Sequence, residues 1–223
     1  MSTAVRVVCF DLDGTLVRGT TVSLHLSEWL GHAPLLSELE RQYAEGSIDN
    51  RTFAERDAAY YKGLHRSEIW RELEDIPVVD GIPQTLEWLR AHEATPLLAT
   101  VTSSVAAQFF AQRYGFEDYM GCEMGEDTDG RMLGTIQTHV VPDDKASFLE
   151  SWCGAHGQTL AQCAAVGDSR ADIPLFRAVG LAIALNATLE ARAAADIVID
   201  SGDLRLIIPA LVNWTARSMP VLE

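Results

Sequence analysis

A stretch near the N-terminus constrains the fold more than any other part of the chain. The four apolar residues 7–10 are followed at once by Asp11-Leu12-Asp13-Gly14-Thr15. Apolar runs without alternation are typical of parallel strands that are covered on both faces. Residues two apart in an extended segment point the same way, and α/β sheets bind ligands where their strands end. Asp11 and Asp13 are therefore predicted to face one point at the end of a buried strand.

Two neighbouring carboxylates repel each other unless a positive charge lies between them. Mg²⁺ takes hard oxygen ligands and needs few protein groups, so it is the cofactor that this pair indicates. The alternative is an Asp-Gly turn that closes a hairpin, with ordinary turn-forming acids. We favour the metal-binding interpretation.

Size and composition exclude several classes of protein. The 223 residues, 48% hydrophobic and 22% charged, indicate a soluble globular protein with one large domain or one domain plus an insert. The sequence has neither a bilayer-length apolar stretch nor a signal pattern, so we expect a cytoplasmic location. A net charge of −15 argues against nucleic acid and anionic membranes as partners. A phosphorylated substrate would need local cations at its site.

Elsewhere the chain alternates between strand and helix patterns. Further strands are predicted at 96–100, 163–166, 181–185 and 197–199, with a hairpin joining 120–124 to 133–141. Helix-length segments separate most of these strands, which indicates a doubly wound, mostly parallel α/β sheet.

Between about residues 15 and 80 the pattern is helical, with no convincing buried strand. We predict a small helical domain over 15–80, inserted into a core made of 1–14 and 81–223. Its aromatic residues are expected to form a small core of their own rather than a binding site.

Polar residues follow three predicted strands of the sheet. Asp11, Thr100 and Asp168 stand at strand ends, and parallel strands share one rim at their carboxyl ends. Lys145 opens the helix that precedes the Asp168 strand, close enough to reach this rim. Thr102 is an alternative to Thr100, and Lys145 could instead be a solvated lysine at a helix start.

These residue types suit phosphoryl transfer, which needs a nucleophile, cations and a proton for the leaving oxygen. Asp11 is the predicted nucleophile, because carboxylates form aspartyl-phosphate intermediates, and Asp13 the predicted general acid. Metal ligands are predicted to be the side chains of Asp11 and Asp168 and the main-chain carbonyl of Asp13. Lys145 and Thr100 are predicted to bind the phosphate.

The chain resembles the haloacid dehalogenase superfamily, whose motifs occur here in order. The matching segments are Asp11-Leu12-Asp13-Gly14-Thr15, Leu97-Leu98-Ala99-Thr100, Lys145 and Gly167-Asp168-Ser169-Arg170-Ala171-Asp172. The tail from Asn186 to Asp200 is similar to that of the phosphoserine phosphatase branch. The resemblance implies a Rossmann-like core, a helical cap inserted after the first strand, and Mg²⁺-dependent hydrolysis. It also implies that Asp172 supports the metal site without binding the metal.

Substrate-selecting residues follow the resemblance less closely. Phosphoserine phosphatases place a glutamate just after the first motif to bind the amino group, and Thr20 falls near that place. Glu28, one helix further along, is the nearby alternative. A cap arginine that binds the carboxylate has its counterpart in Arg56, about one residue out of register. Ala171 stands where the family has asparagine.

The predicted function is Mg²⁺-dependent hydrolysis of a small phosphorylated metabolite through an aspartyl-phosphate, with phosphoserine as one candidate. Asp13 favours this over the superfamily's dehalogenases, which lack the second acid. The alternatives are a phosphatase of another phosphometabolite, a phosphotransferase, and a non-enzymatic pseudo-enzyme that binds a partner. We expect a monomer or a homodimer.

Overall fold

A seven-stranded sheet forms the centre of the fold in a computed structural model, which describes residues 5–217. The strands are β1 Val7–Phe10, β2 Thr95–Ser103, β3 Asp118–Glu126, β4 Met132–Thr138, β5 Cys163–Gly167, β6 Leu181–Leu185 and β7 Ile197–Ile199. Their order across the sheet is β4-β3-β2-β1-β5-β6-β7. Every neighbouring pair is parallel except β3 and β4, which form the predicted hairpin. The predicted fold class, an α/β fold with a mostly parallel sheet, is confirmed.

Strand β1 lies in the middle of this sheet. Phe10 is level with Leu98 of β2 and with Val166 of β5. The side chains of β1 are fully buried and enter two different clusters. Val8 and Phe10 belong to one cluster, and Val7 and Cys9 belong to the other. Burial on both faces explains why this strand is apolar throughout instead of alternating.

Helices cover the sheet and fill the segment between β1 and β2. They are α1 Val22–Leu30, α2 Ala33–Ala44, α3 Asn50–Ala58, α4 Arg66–Leu73, α5 Ile82–Ala91, α6 Ser104–Tyr114, α7 Pro142–Ala155, α8 Ile173–Ala178, α9 Leu189–Ala194 and α10 Ile208–Arg217. Helices α1 to α4 occupy the segment that was predicted to be helical. Within residues 5–217, no helix has the length and apolarity that crossing a membrane requires.

Side-chain caps fix where several of these helices begin. The Asp49 carboxylate accepts a hydrogen bond from the Thr52 amide at 2.8 Å and so caps the start of α3. His65 is the N-cap residue of α4, and its Nδ1 atom accepts a hydrogen bond from the Ser67 amide at 3.2 Å.

Strand β2 is longer than the sequence predicted. It continues three residues past Thr100, because Ser103 pairs with Cys122 of β3 after a shift of register that follows Ala99. Thr100 therefore lies within the strand and not at its last residue. Leu98 and Val166 are both level with Phe10, and Thr100 and Asp168 each come two residues later in the chain. Both residues therefore stay at the same end of the sheet.

Candidate active site

The end of β1 carries a buried ion pair. Lys145, in the first turn of α7, is fully buried, and Asp11 is 5% exposed. The Lys145 Nζ atom lies 2.6 Å from Oδ1 of Asp11 and 2.7 Å from Oδ1 of Asp172. Burial alone would lower the pKa of Lys145, but the two carboxylates raise it above its ordinary value. The lysine is therefore an ammonium group held between two acids.

Asp172 links Lys145 to the backbone that follows β5. Its Oδ2 atom accepts hydrogen bonds from the backbone amides of Asp168 and Ser169, both at 3.0 Å. Its Oδ1 atom accepts from Lys145. A Cβ atom on Gly167 would lie only 2.3 Å from Cγ of Asp172, so the strand can approach this closely because residue 167 is glycine. Both carboxylate oxygens of Asp172 are thus occupied by the protein.

Asp168 completes a cluster of three acids. Carboxylate oxygens of Asp11, Asp168 and Asp172 all lie within 4.8 Å of one another. Burial raises the pKa of Asp168 well above its ordinary value, and repulsion by Asp11 and Asp172 adds to the effect. One ammonium group cannot balance three carboxylates at this spacing. The surplus charge and the all-oxygen donors fit a hard divalent cation such as Mg²⁺. Because Asp172 is already occupied, Asp11 and Asp168 are the side chains left to bind it.

Asp13 points toward the helical insert. Its Oδ1 atom accepts a hydrogen bond from the Val22 backbone amide at 2.7 Å, at the start of α1. Burial raises the pKa of Asp13 to about 7, although the Val22 amide acts in the opposite direction. A carboxyl group with such a pKa can both donate and accept a proton near neutral pH.

Thr100 and Thr102 both line the cleft next to Asp11. Thr100 is 1% exposed, and its hydroxyl oxygen accepts a hydrogen bond from the Thr102 amide at 3.2 Å. The structure brings both residues to the site, so the choice between them as the phosphate ligand stays a prediction.

The cleft has a volume of about 290 Å³ and lies between this rim and the insert. The insert contributes its lining residues Thr20, Thr21, Ser23, Glu40, Tyr43, Asn50 and Phe53. Thr20 lines the cleft, and its role in selecting the substrate stays a prediction. Arg56, in contrast, is exposed and is absent from the lining. Asn50 and Phe53 line the cleft from α3, whereas Arg56 on the same helix does not.

Two aromatic residues of the insert correct an expectation from the sequence. Tyr43 and Phe53 line the cleft instead of forming a separate core. Glu40 was not predicted at the site either. These three residues come from two different helices, and no sequence spacing indicates that they meet.

The comparison with known proteins identifies the class to which this fold and site belong. The chain matches the model of the haloacid dehalogenase-like hydrolase family over residues 8–177. It therefore belongs to this family of hydrolase enzymes, as predicted.

Individual relatives narrow the comparison. The chain is 24% identical over 204 residues to a phosphoserine phosphatase of Methanocaldococcus jannaschii, covering 91% of this chain and 96% of the relative. It is 26% identical to one of Streptococcus thermophilus, covering 95% and 98%. The predicted resemblance to the phosphoserine phosphatase-like branch is confirmed.

Solved structures agree on the fold. One, described as a phospho-aspartyl intermediate analogue of phosphoserine phosphatase, superimposes with a TM-score of 0.80 at 23% identity, covering 93% of this chain and 99% of the other. A haloacid dehalogenase family hydrolase from Salmonella enterica serovar Typhi gives a TM-score of 0.85 at 17% identity, covering 92% and 70%. At these identities the likeness concerns the fold.

Proposed function

We propose that the chain hydrolyses phosphomonoesters of small metabolites through an aspartyl-phosphate formed on Asp11. One observation carries the proposal: the Asp11 carboxylate lies at a buried strand end, 2.6 Å from the Lys145 ammonium, with an Asp168 oxygen within 4.8 Å. A carboxylate that Lys145 holds in place is a positioned nucleophile. The curated relatives bear the name phosphoserine phosphatase, which supports this reaction class.

The chain's own residues account for both half-reactions. Asp11 attacks phosphorus, the bond from phosphorus to the ester oxygen breaks, and Asp13 donates its proton to the departing alkoxide. Asp13, now a carboxylate, accepts a proton from water as that water attacks the phosphorus of the aspartyl-phosphate. The phosphorus–Asp11 bond breaks, and inorganic phosphate leaves. Asp13 ends the cycle protonated, so the step balances.

Mg²⁺ is the proposed cofactor, held by the side chains of Asp11 and Asp168 and by the main-chain carbonyl of Asp13. Bound there, it would lower the repulsion between the anionic nucleophile and the anionic substrate. Asp172 is proposed to support the site from behind, because its oxygens are bonded to Lys145 and to two backbone amides.

Lys145 and Thr100 are the proposed phosphate ligands. We further propose that residues 15–80 act as a cap and that 1–14 with 81–223 form the catalytic core. The cleft supports this division, because its lining comes from both parts. The ends of the proposed core, 1–4 and 218–223, lie outside the described residues.

Phosphoserine, the substrate that the relatives' names give, is the first compound to test. The cytoplasmic location and the monomer or homodimer stay predictions. Sedimentation of the purified chain would decide the second of these.

The test of this function is phosphate release from a panel of phosphometabolites and para-nitrophenyl phosphate. We expect release with Mg²⁺, none after EDTA, and recovery when Mg²⁺ is returned. Asp129→Asn, which removes an exposed acid on the hairpin, is the control for variants in which a site aspartate is replaced by asparagine. No release from any compound would favour the partner-binding pseudo-enzyme, and phosphate transfer to added alcohols would favour a phosphotransferase.

A further inference from the structure

The charged side chains that line the cleft are all acidic. They belong to Asp11, Asp13, Asp168 and Glu40, and no lysine, arginine or histidine within residues 5–217 is part of the lining. The first three belong to the proposed reaction. Glu40, on α2, is the one charged lining residue that the mechanism does not use.

Glu40 has no cationic partner among the described residues. It is half-buried, and it accepts a hydrogen bond from the Thr21 hydroxyl. Burial raises its pKa, the direction expected for an acid whose charge is not balanced. A bound cation would supply the balance.

A second acid lies deeper on the same side. Asp57, on α3, is 8% exposed, and its Oδ2 atom accepts a hydrogen bond from the Ser23 hydroxyl at 2.6 Å. Its Oδ1 atom is buried and has no hydrogen-bond partner in the part of the chain that the structure describes. Asp57 lines a cavity of about 30 Å³ whose lining shares Ser23 and Phe53 with the cleft. An unpaired acceptor next to such a space indicates a bound donor that would satisfy it.

Aromatic rings stand beside these acids. The ring centroids of Tyr43 and Phe53 are 5.7 Å apart. Aromatic faces attract ammonium groups. Arg170 is the cation next to them, but it lies over the Tyr43 ring at 4.6 Å and donates to the Tyr43 carbonyl, outside the lining.

Glu40, Tyr43 and Phe53 line the cleft, and Asp57 lines the small cavity next to it. We call these four residues the insert-side pocket. We propose that this pocket binds a positively charged amine of the leaving alcohol, so that the preferred substrates are phosphomonoesters of amino alcohols without a carboxylate. Among the described residues, the lining would offer a carboxylate acids and no cation, since Arg56 is exposed and, like Arg170, is not part of the lining. This inference rests on the proposed phosphatase function and narrows its substrate class.

The test compares substrates that differ by one group. O-phosphoethanolamine has the amine, ethyl phosphate lacks it, and O-phosphoserine adds a carboxylate. We expect kcat/KM for phosphoethanolamine to exceed each of the other two by at least about tenfold. Para-nitrophenyl phosphate reports whether the enzyme is active at all.

Variants locate the effect in the pocket. Glu40→Gln and, separately, Asp57→Asn should lower the ratio of kcat/KM for phosphoethanolamine to that for ethyl phosphate by at least about tenfold. Glu38→Gln, an exposed acid on the same helix, should leave the ratio as it is.

The outcomes separate the two proposals. Hydrolysis of the aryl phosphate, together with equal rates on phosphoethanolamine and ethyl phosphate, would overturn the amine pocket and leave the phosphatase intact. A preference for phosphoserine would likewise overturn it. No hydrolysis of any compound would overturn both.

Discussion

The Nζ atom of Lys145 lies 2.6 Å from Oδ1 of Asp11, between two residues that are 134 positions apart in the chain. Both side chains are buried, yet they contribute to stability with opposite signs. Asp11 belongs to a cluster with too many negative charges, and burial raises its pKa. Lys145 is the one ammonium group that this cluster contacts in the described structure. Substitutions of the two residues should therefore have opposite effects on folding.

Asp11→Asn should lower turnover by more than about a thousandfold, because an amide does not serve as the nucleophile. The same change should leave the free energy of unfolding, measured in EDTA, equal to that of wild type or higher, since it removes one of several repelling charges. Denaturant unfolding and phosphate release measure the two effects. A variant that retained wild-type turnover would remove Asp11 as the nucleophile.

Lys145→Met should lower the free energy of unfolding by about 3–5 kcal/mol, because Asp11 and Asp172 would remain buried without their cation. Phosphate release should fall as well, since the proposed phosphate ligand is gone. Lys62→Met is the control, because Lys62 is an exposed lysine away from the cleft. An equal loss of stability in both variants would contradict this account of the buried pair.

The stability of the insert should depend on pH through Asp57. Burial raises the pKa of Asp57 from 3.8 to about 6, while hydrogen bonds from Ser23 and Tyr61 act in the opposite direction and Glu40 adds to the rise. The folded state therefore favours the protonated acid. The resulting stability is complete below the unfolded pKa and is lost as the pH rises through about 6.

Asp57→Asn removes this titration. Relative to wild type, the variant should gain about 1–2 kcal/mol in free energy of unfolding between about pH 5 and about pH 8. Asp75→Asn, an exposed acid of the insert, should show no such gain. A constant difference between wild type and the Asp57 variant across this range would show that Asp57 does not titrate as described.

The order of strands and helices could be predicted because local signals determine it. The apolar run lies within β1, and Gly115 directly follows α6, which it ends. The rim was predictable for a related reason, because every parallel strand in a sheet ends on the same side. Asp11 and Asp168 therefore meet although the sequence between them is long.

The insert-side pocket was not predictable in this way. Glu40 and Phe53 meet at the cleft through the packing of separate helices, and no residue pattern in one helix specifies its neighbour. Arg56 illustrates a related limit of prediction from sequence, because a shift of one position on a helix turns a side chain by about 100°. A register estimate that is nearly correct can therefore place a side chain in solvent.

Gly14 provides a test of how closely the segment Asp11–Thr15 must approach the segment Gly167–Asp172. It has a φ of +79°, and a Cβ atom there would lie 2.2 Å from Oδ2 of Asp168. Gly19 has a similar φ of +74° with nothing within 4 Å, so it is a matched control. Both alanine variants carry backbone strain of roughly 1–2 kcal/mol, but only Gly14→Ala must displace the Asp168 carboxylate.

The kcat/KM of Gly14→Ala should fall at least about a hundredfold, because misplacing a catalytic group by about 1 Å has that effect. Equal losses of kcat/KM in the two variants would show that backbone strain alone explains the result and that Asp168 does not need its present position.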